Sequence, residues 1–124
     1  MGMPTILTQN QTGTSAIWFP DWMQSPFSIA IQAIATGAPT YNIEYTLDNI
    51  DIAANTTTNT LNNSLSNATT AGAATWFQSA ITGQTISTTG TIAAPVRAIR
   101  VNIVSSSATA FLVATFIQAT YPGS

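Results

Sequence analysis

The sequence has no cysteine, no histidine and no lysine in its 124 residues. Histidine is the commonest general acid or base, cysteine and histidine are the main ligands of soft metals, and lysine is a common nucleophile. The only charged side chains are two arginines and four carboxylates, at Arg97, Arg100, Asp21, Glu44, Asp48 and Asp51. The composition therefore predicts a protein that is not an enzyme, with no catalytic, cofactor-binding or metal-binding residues and no cofactor.

The scarcity of charge also bears on partners. Charged residues make up 5% of the chain, against about 25% in ordinary soluble domains. A net charge of −2 with two arginines is too little positive charge to bind nucleic acid or an anionic membrane surface. No apolar run reaches the length of a membrane-spanning helix, and the first residues show no signal-peptide pattern. Because lysine commonly protects exposed sheet edges, we expect closed sheets or edges paired with another subunit.

Alternation of apolar and polar residues predicts an all-β fold. Residues 26–35 and 40–47 alternate with a period of two on either side of a Gly-Ala-Pro turn, which predicts a hairpin. Residues 96–104 form another strand. Residues 109–119 are apolar on both faces, which is typical of a central strand of a sandwich or of half an interface. We therefore predict a single-domain antiparallel β-sandwich of jelly-roll type.

Three regions follow from this pattern. Residues 1–14 have little to bury and are predicted to be an extended N-terminal arm, either frayed or reaching a neighbouring subunit. Residues 15–121 form the sandwich domain. Within it, residues 48–74 are a long polar loop rich in Asn and Thr, which we interpret as a surface excursion that orders against a partner.

Aromatic residues are the main candidates for an interface. Trp18, Phe19 and Trp22 lie close together in the segment 15–22, and we interpret them as core or subunit-interface anchors, with a platform for stacking sugars as the alternative. The last strand contributes two further phenylalanines. With the Trp-Phe pair of a short strand at 75–79 and the two arginines, the interface candidates are Trp18, Phe19, Trp22, Trp76, Phe77, Arg97, Arg100, Phe111 and Phe116.

The two arginines lie three residues apart, so on a regular strand Arg97 and Arg100 point to opposite faces. One of them is predicted to pair with a carboxylate of its own chain, for which Glu44 is the candidate. The other is predicted to make a contact between subunits, a role that suits the planar guanidinium. Two solvated charges are the alternative.

The carboxylates offer little chemistry. Asp48 and Asp51 lie beside Glu44 at a strand end, where Asp is a common turn residue. A glycosidase needs two carboxylates facing each other across a cleft. A calcium site from Asp48, Asn49 and Asp51 would lack the spaced acidic ligands and the glycine of a calcium-binding loop. No serine can have a histidine partner, so nucleophilic catalysis of the Ser-His type is excluded.

Several segments spread over residues 15–119 resemble a group of small virion proteins of tailed phages, of which the Pro-Val-Arg-Ala-Ile-Arg run is the most distinctive. The segments are 27–31 (FSIAI), 41–48 (YNIEYTLD), 75–77 (TWF), 81–85 (ITGQT), 94–102 (APVRAIRVN) and 116–119 (FIQA). On these segments the chain resembles the head decoration, or cement, proteins of short-tailed bacteriophages. It differs from that group in the polar segment 48–74.

The resemblance implies a jelly-roll sandwich present in many copies on the capsid exterior, made in the cytoplasm of a bacterial host. Such a protein bridges neighbouring subunits of the major capsid protein and stabilises the head against the pressure of packaged DNA. A homo-oligomer is expected, with a dimer favoured. The alternatives are a neck, tail or head-fibre component of the virion, and a carbohydrate-binding module that stacks sugars on Trp18, Trp22, Trp76 and the tyrosines.

Overall fold

A computed structural model describes residues 4–22, 27–48 and 74–119. These residues form eight strands and no helix. The strands are β1 Thr5–Asn10, β2 Gly13–Thr14, β3 Ile29–Thr36, β4 Thr40–Thr46, β5 Phe77–Gln78, β6 Thr88–Ile92, β7 Ala98–Ser105 and β8 Phe111–Gln118. The all-β class predicted from the sequence is confirmed. Over the described part of the chain, no helix is long and apolar enough to cross a membrane.

The strands form two antiparallel sheets of four strands each. Sheet A has the order β1-β8-β3-β6, and sheet B has the order β2-β7-β4-β5. The first strand pairs with the eighth, the second with the seventh, the third with the sixth and the fourth with the fifth. The chain therefore runs as a ribbon doubled back on itself at the β4–β5 connection.

Side-chain alternation places the hydrophobic core between the sheets. In β3, Ile29, Ile31 and Ala33 are buried while the residues between them are exposed. Sheet B supplies the opposite side of the core, with Tyr41, Ile43, Ile99, Val101 and Ile103 all fully buried. Full burial of one aliphatic or aromatic side chain stabilises a fold by about 1.5–3 kcal/mol, so this core is the main source of stability.

The hairpin predicted for residues 26–35 and 40–47 is wrong, although both strands exist. β3 pairs with β6 and β8, whereas β4 pairs with β5 and β7, so the two strands lie in different sheets. Gly37 and Ala38 both have positive φ angles, 77° and 51°, and turn the chain from one sheet to the other. Gly37 also approaches the connection between β7 and β8, where an added Cβ would lie 2.8 Å from a backbone oxygen.

The N-terminal arm expected over residues 1–14 is not confirmed. Thr5–Asn10 form β1, which pairs along its whole length with β8, from Thr5–Phe116 to Asn10–Phe111. Leu7 is buried in the core, and polar residues are compatible with the other positions because β1 is an edge strand. The polar loop expected over 48–74 lies, apart from its two end residues, outside the described residues.

Candidate functional site

The outer face of sheet B is polar and largely covered. We call Asn42, Glu44, Thr46, Arg100 and Asn102 the polar face; they point away from the core on paired strands, with Asn42 opposite Asn102 and Glu44 opposite Arg100. Three of them are nevertheless buried, because the segment 74–84 lies over them. No buried side-chain nitrogen or oxygen of the described residues lacks a hydrogen-bond partner.

An ion pair lies at the centre of the polar face. Arg100 Nε donates to Glu44 Oε1 over 2.8 Å, and Asn102 Nδ2 donates to Glu44 Oε2 over 3.0 Å. The ring of Trp76 covers the pair, with its centroid 4.1 Å from the guanidinium carbon of Arg100. The predicted pairing of one arginine with Glu44 is confirmed, and Arg100 is that arginine. Since Glu44 already accepts two hydrogen bonds and Trp76 stacks above, this cluster binds the segment 74–84 to sheet B.

Further hydrogen bonds attach the same segment. Asn42 Oδ1 accepts from Gly83 N at 2.6 Å and from Thr82 Oγ1 at 2.9 Å. At the other end, Thr75 N donates to Asp48 Oδ2 over 2.7 Å. Asp48 thus holds backbone, as a turn residue does, and Asn49 and Asp51 lie outside the described residues. Among the described residues, no group of three or more Asp or Glu is placed to hold a metal ion.

The outer face of sheet A contrasts with this, because none of the residues in its four strands is charged. The strand register brings thirteen outward side chains together. We call this set the uncharged face: Ile6, Thr8, Asn10, Ala30, Gln32, Ile34, Thr36, Thr89, Thr91, Phe111, Val113, Thr115 and Ile117. No segment of the described chain is hydrogen-bonded across it in the way that 74–84 covers sheet B.

Large apolar side chains project from the uncharged face. Ile6, Ile34, Phe111 and Ile117 are 59, 44, 41 and 45% exposed. Ile34 lies directly opposite Val113, and Phe111 is the next outward residue on the same strand, whereas Ile6 and Ile117 lie on the far side of Val113, beside Thr115. Monomeric soluble proteins rarely leave a contiguous apolar patch of several hundred Å² exposed unless it is an interaction site. The uncharged face is therefore the candidate interaction surface of the described chain.

The same face has a recess beside these projections. A shallow depression of about 400 Å³ lies over Ala30 and Gly90 and is bordered by Thr91, Thr115 and Ile117. It exists because the side chain of Ala30 is short between the longer side chains of the neighbouring strands, while Gly90, whose Cα faces the core residue Ile81, contributes only backbone to the floor. Its volume is modest and it is open to solvent, so it suits one apolar side chain of a partner better than an enclosed small-molecule ligand.

The aromatic interface candidates divide between core and surface. Phe116 is fully buried between the sheets, which contradicts its proposed role at an interface, because its position on β8 points inward. Trp18 is half-buried and packs on it, with ring centroids 5.5 Å apart. Phe19 and Trp22 are each 43% exposed, and the Trp22 ring stacks with the guanidinium of Arg97 at 4.6 Å.

The remaining candidates lie at two separate places. Phe77 is half-exposed on the edge strand β5, with its ring 6.0 Å from that of Tyr45. Phe111 belongs to the uncharged face. Three other large apolar residues of that face, Ile6, Ile34 and Ile117, were missed as interface residues by the sequence reasoning. Two signals were available: Ile34 occupies an outward position of an alternating strand, and residues 109–119 are apolar on both faces.

Comparison of the chain with protein-family models, with curated proteins and with solved structures found no match.

Proposed function

We propose that this chain is a non-enzymatic structural protein of a phage virion, and specifically a capsid decoration protein that bridges and stabilises major capsid subunits. The observation that carries the proposal is the uncharged face, with four exposed large apolar side chains on a rigid sheet. The similarity of residues 15–119 to head decoration proteins supplies the virion context. The best formed polar cluster of the described chain, around Glu44, is occupied by its own hydrogen bonds and is covered by Trp76.

A jelly-roll topology is part of the proposal. What supports it is the pairing of strands one with eight, two with seven, three with six and four with five across two four-stranded sheets. An eight-stranded jelly roll is an antiparallel ribbon of this kind wrapped into a sandwich, and it occurs in viral capsid and lectin domains. The same topology is thus compatible with the virion role and with the binding-module alternative.

A decoration protein of this composition would act by burial of surface. Stable protein interfaces bury roughly 800 Å² on each partner, and apolar projections on a flat sheet supply such area without ordering flexible side chains. Because so few charges are present, binding would depend little on ionic strength, since salt screens charge interactions and not apolar contacts. The partner would be the major capsid protein, and the location the capsid exterior.

Two alternatives remain as outcomes of the test. A neck, tail or head-fibre component would use the same kind of surface, so only its copy number separates it from a decoration protein. A carbohydrate-binding module is favoured by one observation, the exposed pair Phe19 and Trp22 at one end of the sandwich. Against a broader sugar platform, one ring face of Trp76 is covered by Arg100 and Trp18 packs on Phe116.

The copy number of the chain in purified virions, measured by quantitative mass spectrometry against the major capsid protein, tests the proposal. A decoration protein must follow the capsid lattice, so hundreds of copies per particle are expected. A copy number of about six to a few tens would indicate a ring or fibre assembly at the neck or tail. Absence from the particle would overturn the virion role, and quenching of Trp fluorescence by a glycan would then support the binding module.

A further inference from the structure

We propose that the uncharged face is a self-association surface, on which a second copy of this chain packs sheet A against sheet A about a two-fold axis. This inference goes beyond the proposed function and does not depend on it: the second copy occupies the face in free solution, and a capsid contact through the same face would replace it, because the face cannot hold both partners at once. It names the occupant of a sheet face that the described chain leaves open. Four features of the face support a second copy: its charge, its hydrogen-bonding groups, its shape and its size.

The charge of the face favours an identical partner. A two-fold contact places the same surface on both sides, so any net charge on it would repel itself. The strands of sheet A carry no charged residue, whereas four of the described charged residues, Glu44, Asp48, Arg97 and Arg100, lie on β4 or β7 of sheet B or next to these strands. An uncharged surface has no means of selecting a charged partner by electrostatic complementarity. Pairing with itself carries no repulsion and desolvates no ion.

The polar groups of the face are also self-complementary. Apart from Asn10 and Gln32, its polar side chains are threonines, whose hydroxyl groups both donate and accept hydrogen bonds. The amide groups of Asn10 and Gln32 likewise contain a donor and an acceptor. Two identical surfaces built from such groups can hydrogen-bond to each other, because each group can donate where the facing group accepts. An array of carboxylates or guanidinium groups would not have this property.

The shape supplies a projection and a recess on one face. In a two-fold contact, a residue i of one copy meets a residue j of the other, and j meets i in return. The depression at Ala30 lies on the same strand as the projecting Ile34. A two-fold axis that passes between them inserts each isoleucine into the recess of the other copy. Sheets that pack face to face in this way lie about 10 Å apart.

The size of the face is sufficient for a dimer. At about 3.3 Å per residue along a strand and about 4.8 Å between strands, the four strands of sheet A project an area of roughly 430 Å². Two copies therefore cover nearly 900 Å² in projection and more in accessible area, close to the threshold of about 1,000 Å² for a specific interface. An area at this lower limit is typical of weak or transient interfaces, so we expect a dimer with a dissociation constant on the order of micromolar.

Charge substitutions on the face test this inference with the full-length chain. The double variant Ile34→Lys/Ile117→Lys places two cations on it at side chains that are 44 and 45% exposed, so the monomer should still fold. Juxtaposed like charges cost several kcal/mol, and we expect the dimer dissociation constant to rise by about 100-fold or more. The matched control is Val104→Lys, an exposed β-branched residue of a strand in the other sheet. It should leave the dissociation constant unchanged.

Sedimentation equilibrium gives the mass directly, since a dimer has twice the chain mass of 13.0 kDa. The wild-type chain and Val104→Lys should be dimeric, and the double lysine variant monomeric. A second variant, Ile34→Glu/Ile117→Glu, should also be monomeric alone, and an equimolar mixture with the double lysine variant should form a heterodimer. That rescue excludes misfolding as the reason for dissociation, because unfolded chains would not recombine.

Two results would overturn the inference. One is a wild-type chain that stays monomeric up to about 100 µM, a concentration that populates any dimer of micromolar dissociation constant. The other is a dimer that persists in both charged variants, which would place the interface elsewhere. Neither result depends on the copy number in virions, so failure of this inference and failure of the virion role are separate outcomes.

Discussion

Replacement of Arg100 by methionine should destabilise the protein strongly, because it leaves the carboxylate of Glu44 without its cation. The two side chains are only 19 and 9% exposed, and the guanidinium also stacks beneath Trp76. Breaking a buried ion pair from one side costs about 3–5 kcal/mol. We expect about 3 kcal/mol, the lower end, because Asn102 still donates to Glu44 and part of the site reaches solvent.

Removal of the second charge should recover most of that loss. In the double variant Glu44→Gln/Arg100→Met no ion is buried, and replacing a whole buried pair by neutral groups is often nearly neutral. We expect the double variant to be about 2 kcal/mol more stable than Arg100→Met alone. The control is Arg97→Met, which makes the same change in net charge at an arginine that stacks on the exposed Trp22. It should lower the free energy of unfolding by about 1 kcal/mol or less.

Urea denaturation followed by tryptophan fluorescence and by circular dichroism measures these free energies of unfolding. The slopes of the free energy against urea should be equal among the variants, so that the midpoints compare stability alone. A shift of 1 kcal/mol corresponds to roughly 3–6 °C in Tm for a chain of this length. The reasoning is refuted if Arg100→Met unfolds like the wild type, or if adding Glu44→Gln destabilises it further.

Three other tests of the fold use substitutions at Gly37, Phe116 and Tyr41, the first two with a matched control. Gly37→Ala should lower the free energy of unfolding by about 3 kcal/mol or more, because strain at positive φ adds to a clash with backbone. Gly83→Ala, at similar φ but in open space, should lower it by only about 1–2 kcal/mol, and urea denaturation measures both. Phe116→Ala should lower the free energy of unfolding by about 3–5 kcal/mol, because it leaves a cavity in the core. Phe111→Ala, on the exposed side of the same strand, should lower it by under about 1 kcal/mol when measured on the monomer. Burial raises the pKa of Tyr41 above its usual value of 10.0. The unfolded chain therefore loses this proton first, so the contribution of Tyr41 to stability should be constant below about pH 10 and fall above it, and Tyr41→Phe should flatten that alkaline fall.

The strands were predictable because their inward residues follow the period of a pleated sheet. Alternation identified β3 and β4 and the burial of Ile29 and Ile31. It did not identify their partners, because a strand buried on one face has the same pattern whichever strand lies beside it. Two neighbouring strands with a Gly-Ala-Pro turn suit a hairpin and a crossing between sheets equally well. The partners of the two strands decide between them: β3 pairs with β6 and β8 and β4 with β5 and β7, and these partners lie far away in the sequence.

The candidate functional site was likewise predictable only in part. The pairing of Glu44 with Arg100 was predictable because the chain has a single glutamate and few cations, and both lie at outward positions of strands. The uncharged face was not predictable as a surface, because it depends on four strands that are far apart in the sequence. β1 was interpreted as an arm, so Ile6 was not placed beside β8. The cover of Trp76 over Arg100 depends on an irregular segment whose path has no periodicity.

The doubled ribbon has a consequence for how the protein folds. Nearly every strand pair joins the first half of the chain to the second, and the outermost pair joins Thr5 to Phe116. A chain must close long loops before such pairs form, so the relative contact order is high and folding is expected on a timescale of about milliseconds to seconds. During that time the apolar strands β3 and β8 stay exposed and have no charged residue of their own to prevent association. The scarcity of charge that suits the finished surface therefore makes folding yield sensitive to chain concentration.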